Sequence, residues 1–73
     1  MMLSPSERQD IDLMSVSESF DDVIRVSKDM MEFTYHEIKL TLYPNGSVMF
    51  YHFTDLDKGR EYADEVIAKA RQG

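Results

Sequence analysis

Residues 34–53, TYHEIKLTLYPNGSVMFYHF, decide the fold. Thr34 to Tyr43 alternates, Pro44-Asn45-Gly46 interrupts, and Val48 to Phe53 is almost wholly apolar or aromatic, which reads as a β-hairpin. The turn chemistry sets its register. Proline suits the second position of a type I turn, asparagine the third, and glycine the left-handed position of a bulge. Tyr43 then lies opposite Ser47, Leu42 opposite Val48, Leu40 opposite Phe50 and Ile38 opposite His52. Leu42, Val48, Leu40, Phe50, Ile38 and His52 form one face, apolar except for His52. The other face holds Tyr35, Lys39, Thr41, Tyr43, Met49, Tyr51 and Phe53. A two-residue Asn45-Gly46 turn would mix the two faces, so the bulged turn is preferred.

After the hairpin, residues 55–71 read as a helix capped by Thr54 or Asp55. Leu56, Gly59, Tyr62, Ala63, Val66, Ile67 and Ala70 recur at helical spacing, and charged residues cover the opposite side. Gly59 on the apolar stripe implies close approach of helix to sheet, since glycine there costs about 1 kcal/mol against alanine. Before the hairpin, Phe20 to Met31 reads two ways. As a strand, Val23-Ile24-Arg25-Val26 is β-branched and Ser27-Lys28-Asp29 makes a turn. As a helix, Ser19 caps it and Asp21 and Asp22 sit in the first turn. The strand is preferred. Residues 1–19 hold five serines, no aromatic residue and a net acidic charge, and read as a flexible tail. Alternatively, Ser4-Pro5-Ser6-Glu7 starts a short helix, with a hydroxyl cap, proline at the first position and glutamate three residues after the cap.

The expected fold is therefore α+β: a three-stranded antiparallel sheet with one long carboxy-terminal helix and, if Ser4 starts one, a short amino-terminal helix. The domain proper spans residues 20–73. The alternative order is α-β-β-α, with Phe20 to Met31 helical.

At 73 residues the chain forms one small domain. It has no cysteine, which removes disulfides, thiolate catalysis and the common structural zinc sites. No apolar run approaches the ~18 residues of a membrane span, and no secretory signal is visible, so a cytoplasmic location is the default. With 14 acidic residues against 8 lysines and arginines, the net charge of −6 disfavours non-specific nucleic-acid binding. A core this small is usually worth only about 3–5 kcal/mol, so self-association is a reasonable source of further stability.

From Phe20 onward the segment order resembles one half-repeat of the TATA-binding protein fold. The stretches that carry the likeness are Phe20-Asp21-Asp22-Val23-Ile24-Arg25-Val26 and Leu40-Thr41-Leu42-Tyr43-Pro44-Asn45-Gly46. Phe20 and Tyr43 fall where that family places its DNA-wedging aromatics. The family's basic residue after the turn glycine is Ser47 here, Asp21 and Asp22 follow the first aromatic, and the two aromatics are further apart. Only one half-repeat is present, so a complete saddle would need two copies. The strand–turn–strand–helix stretch also looks like the appendices of adenylate-forming enzymes of the ThiF and MoeB type. The resemblance implies the fold and the pairing of two copies.

Candidate chemistry is sparse. His36 and His52 share a face by parity and, with an acidic neighbour, would suit a divalent metal. The plainer reading is two histidines at the sheet rim. No nucleophile, base and orienting group can be picked out, and no glycine-rich phosphate loop exists. No enzyme activity and no cofactor are expected. The aromatic face is the most informative feature. Tyr35, Tyr43, Met49, Tyr51 and Phe53 would form an exposed patch of the kind that marks an interface. Either a second copy or another protein covers it, or residues 1–19 fold back over it with Ile11, Leu13, Met14 and Val16. The expected function is a small non-enzymatic protein-interaction domain that self-associates through this face. The alternatives are a nucleic-acid-associated module and a metal- or ligand-binding accessory protein.

Overall fold

A computed structural model describes residues 1–72. The chain runs β1 (Met2–Leu3), α1 (Leu13–Val16), a 3-10 turn (Ser17–Ser19), β2 (Val23–Val26), β3 (Met31–Tyr35), β4 (Ile38–Leu42), β5 (Val48–Phe50) and α2 (Leu56–Gln72). The strands form one antiparallel sheet in the order β1-β5-β4-β3-β2.

The sheet has five strands, not three. Two local features account for the difference. The stretch from Thr34 to Tyr43 is not one strand, because His36 and Glu37 form a two-residue turn between β3 and β4, with Tyr35 opposite Ile38. Their φ angles of 49° and 67° are the positive values that a type I′ hairpin turn requires. Asn-Gly announces such a turn in a sequence and His-Glu does not. The second feature is β1, where Met2 and Leu3 pair with Met49 and Val48. Two residues leave no periodicity to read.

Val23–Val26 is a strand, so the α-β-β-α order does not hold. A bulge between Val23 and Arg25 pushes Ile24 outward, leaving it 55% exposed on the edge strand. The Ser27-Lys28-Asp29 turn closes through Ser27 N–H donating to the Met30 carbonyl at 2.8 Å. The β4–β5 turn forms as expected: Gly46 N–H donates to Tyr43 O, Tyr43 N–H donates to Ser47 O, each at 2.9 Å, and Gly46 sits at φ 94°. Leu42 pairs with Val48 and Leu40 with Phe50.

Asp55 caps α2, its carboxylate accepting from Lys58 N–H at 3.1 Å. The helix buries Gly59, Ala63, Val66 and Ala70, one small residue per turn, so it lies close to the large side chains of the sheet. A Cβ on Gly59 would stand 3.7 Å from the Phe50 ring and would collide with the Met1 side-chain tip. Leu56, counted on the apolar stripe by spacing, is 54% exposed at the first turn.

Residues 1–19 hold β1, α1 and the 3-10 turn, and the helix that starts there begins at Leu13, capped by Asp12, rather than near Ser4. Between β1 and α1 the chain crosses the end of the β4–β5 turn. Gln9 and Ile11 N–H groups donate to the Asn45 and Pro44 carbonyls at 2.9 Å. Ile11, Leu13, Val16 and Phe20 then join the same core cluster as Phe33, Leu40, Phe50, Ala63 and Val66. Phe20 packs on Phe33 with ring centroids 5.0 Å apart, and Lys69 Nζ lies 4.8 Å above its ring. Each large side chain so buried contributes roughly 1.5–3 kcal/mol. The amino-terminal segment and α2 thus cover the same face of the sheet. No helix among the described residues is long and apolar enough to cross a membrane.

Candidate interaction face

Pairing and alternation fix what lies on the uncovered face. Met31, Phe33, Leu40, Leu42, Val48 and Phe50 point to the core, so Glu32, Thr41 and Met49 point away from it. The ladders align Arg25 with Glu32, Glu32 with Thr41, Thr41 with Met49, and Met49 with Met2. One residue from each strand thus makes a row across the sheet. A second, shorter row sets Thr34 beside Lys39, whose carbonyl accepts from Tyr51 N–H at 3.1 Å.

The two ends of this face differ in chemistry. At the β2–β4 end, Arg25 Nε and Nη2 both donate to Glu32 Oε1, at 3.0 and 2.7 Å, and Lys39 Nζ lies 3.4 Å from Glu32 Oε2. The Arg25 hydrogen bonds hold the Glu32 carboxyl below its ordinary value, against the opposing effect of burial and with help from Lys39. In the middle, Thr41 is fully buried beneath its neighbours, and its hydroxyl donates to the Tyr51 hydroxyl at 3.2 Å. Lys39 Nζ sits 5.0 Å over the Tyr51 ring. At the β1–β5 end stand Met49 and Met2, the latter 49% exposed, and a shallow hollow of about 420 Å³ opens among Met2, Arg8, Tyr43 and Ser47.

The expected five-residue patch divides between the two faces. Tyr43, Met49 and Tyr51 belong to the uncovered face. Tyr35 and Phe53 do not, and each departs for a backbone reason. A two-residue turn sets Tyr35 directly opposite Ile38, on the same face as Ile38 and not of Lys39. His52 has φ 55°, which breaks the alternation before Phe53. Phe53 therefore stacks between Phe50 and Tyr62 on the core side, at 5.7 and 6.1 Å.

Tyr35 belongs to a separate cluster against α2. Its hydroxyl donates to Glu65, its ring meets Tyr62 edge-on, and burial followed by the Glu65 bond pushes its pKa up to about 12. The His36 ring stacks on Tyr62 at 4.6 Å, with Nε2 3.7 Å from Glu65 Oε1. His36 is a turn residue and His52 stands in the bend after β5, so the shared-parity argument for a metal pair does not apply to them. Among the described residues no group of three or more histidines and carboxylates is placed to hold a metal ion. The sequence reading missed Arg25, Glu32 and Met2. Locating the His36-Glu37 turn and the two-residue β1 would have added them to the face. Phe20, where the resemblance would place a wedging aromatic, is 7% exposed in the core. Comparison with known proteins found no matching family model, no matching curated protein and no matching solved structure.

Proposed function

We infer that this is a small protein-interaction domain whose docking surface is the uncovered face of its sheet. The observation that carries the reading is that α2 and the amino-terminal segment pack on one face. The opposite face is left with Tyr43, Met49 and Tyr51 and no covering helix among the described residues. A sheet with one wet face is common, but a wet face is ordinarily polar throughout. Here its β1–β5 end carries methionine and tyrosine, residues enriched in the cores of interfaces. Self-pairing, the form expected from the sequence, is the second reading. Met2, Met49 and Tyr43 stand at the β1–β5 end of the face, away from Arg25, where two copies would meet through apolar side chains.

Two measurements test the reading together. Light scattering over a range of concentrations reports self-association, which Met49→Glu should abolish. A photo-activated cross-linking residue placed at Met49 or Tyr51 in the producing cell reports any other partner, with Ala68 on the exposed side of α2 as the control site. The reading expects concentration-dependent mass, or adducts at the sheet positions and not at Ala68. A strict monomer with no site-dependent adduct rejects it.

A further inference from the structure

We propose that Asn45 is a deamidation site masked by the fold, and that its isoaspartyl product frees the amino-terminal segment from the sheet. The chemistry stands apart from the interaction reading and needs no reactant but water. Asn45 is the chain's one asparagine, and a glycine follows it. Glycine has no Cβ to shield its own nitrogen. That nitrogen, its proton lost to solvent base, attacks Asn45 Cγ. The N–Cγ bond forms, the Cγ–Nδ2 bond breaks, and ammonia leaves with a proton from solvent. Water then opens the cyclic imide at either of its carbonyls. Opening at Cγ gives aspartate. Opening at the former main-chain carbonyl gives isoaspartate, whose main chain runs through Cβ and Cγ.

In the folded chain three hydrogen bonds hold the reacting groups apart. Gly46 N–H donates to Tyr43 O and Gln9 N–H donates to Asn45 O, each at 2.9 Å, so the Asn45–Gly46 peptide plane is pinned at its nitrogen and at its oxygen. Ser47 N–H donates to Asn45 Oδ1 at 2.9 Å and holds the side chain towards Ser47. With Pro44 second and no positive φ at Asn45, the Tyr43-to-Gly46 closure is a type I turn, which sets Asn45 ψ at about 0°. Imide formation needs the Gly46 nitrogen to eclipse Cβ, a turn of ψ by about 120° from that value. The rotation swings both pinned ends of the peptide and breaks both bonds. Gln9 and Pro5 also crowd the glycine, their Cγ atoms lying 2.6 and 3.0 Å from where a Cβ would stand. The turn must therefore open, and the amino-terminal segment lift from it, before Asn45 reacts.

The two products differ in consequence. Aspartate keeps an Oδ1 acceptor for Ser47 N–H and leaves the main chain as it was. Isoaspartate inserts an atom into the main chain between Tyr43 O and Gly46 N–H, so the turn no longer closes in register. Pro5 and Gln9 leave no space for the displaced backbone. The segment then fails to reseat, and Ile11, whose N–H bonds Pro44 O, comes away from the core with Gln9.

The test incubates the full-length protein beside a peptide of residues 41–49 in mildly alkaline buffer. Mass spectrometry counts the exchange of amide for acid, and methylation by an isoaspartyl methyltransferase counts the isoaspartyl fraction. The proposal expects the folded chain to react about ten- to hundredfold more slowly than the peptide. Ile11→Ala, which loosens the amino-terminal segment, should react about three- to tenfold faster than the parent while the amides between β3 and β4 stay protected. Ile11→Val is the milder variant if the alanine protein fails to fold. In the purified isoaspartyl form, the Gln9 and Ile11 amides should exchange at least about tenfold faster than in the parent. Asn45→Asp should keep both protected. Equal rates in protein and peptide, or no acceleration in either Ile11 variant, overturn the masking. An isoaspartyl form whose Gln9 and Ile11 amides stay protected overturns the release, as does an Asn45→Asp variant that loses them.

Discussion

Two glycines show how single residues shape the molecule. Gly46 sits at φ 94°, and a Cβ there would stand 2.6 Å from Gln9 Cγ and 3.0 Å from Pro5 Cγ. Backbone strain and crowding act together, so Gly46→Ala should lose about 1–2 kcal/mol. Gly59 lies in helical backbone, and the collision there is with the free end of the Met1 side chain. That end can swing aside, and alanine gains up to ~1 kcal/mol of helix propensity. Gly59→Ala should therefore stay within about 0.5 kcal/mol of the parent. Urea denaturation of both variants measures the contrast, and equal losses would contradict it. The close approach at Gly59 is legible in the sequence because a glycine on an apolar stripe has few other uses. That Met1 fills part of the gap is not legible, since a lone methionine far along the chain gives no sign of where it packs.

At the scale of elements, α2 and the β4–β5 hairpin could be read because their signals are strong and local. The Asp55 cap, the small-residue stripe and Pro44-Asn45-Gly46 each name one conformation. The β3–β4 turn could not, because His36 and Glu37 enter the left-handed region under tertiary constraint and not by preference. The Tyr62 ring stacks on His36, and β3 and β4 pair on either side of the turn. This one missed turn also misplaced Tyr35 and hid Arg25 and Glu32 from the interaction face, so the error in the fold and the error in the site share a cause. Glutamate at φ 67° carries a local cost that glycine lacks. Glu37→Gly should raise stability by about 0.5–1 kcal/mol, read as a higher urea midpoint with unchanged slope. A lower midpoint would show that the Glu37 side chain contributes more than its backbone costs.

For the whole molecule, two titrating groups bound the pH range of full stability. The Glu32 carboxyl is held below its ordinary 4.5, so the stability it lends is complete above that value and lost as pH falls through the lower folded value. The Tyr35 hydroxyl is pushed from 10 to about 12, so its contribution is complete below 10 and lost as pH rises towards 12. Thermal midpoints should fall on both sides. Glu32→Gln should shallow the acid limb and Tyr35→Phe the alkaline limb, and an unchanged limb in either variant would contradict the assignment.

The pairing of β1 with β5 also has a kinetic side. Strands β2 to β5 are joined in sequence order by short turns, so they can zip together locally, each closure costing little chain entropy. Strand β1 must instead return across most of the chain to reach Val48 and Met49, and it gains only two residue pairs there. It is expected to dock last and detach first, exposing the β5 edge while the rest of the sheet stays closed. Hydrogen exchange reads this directly. The Phe50 amide, bonded to the Met1 carbonyl at 2.7 Å, should exchange well ahead of the amides between β3 and β4. The native ensemble would then include a minor form with an open strand edge, the state through which such a small protein is most exposed to edge-to-edge aggregation.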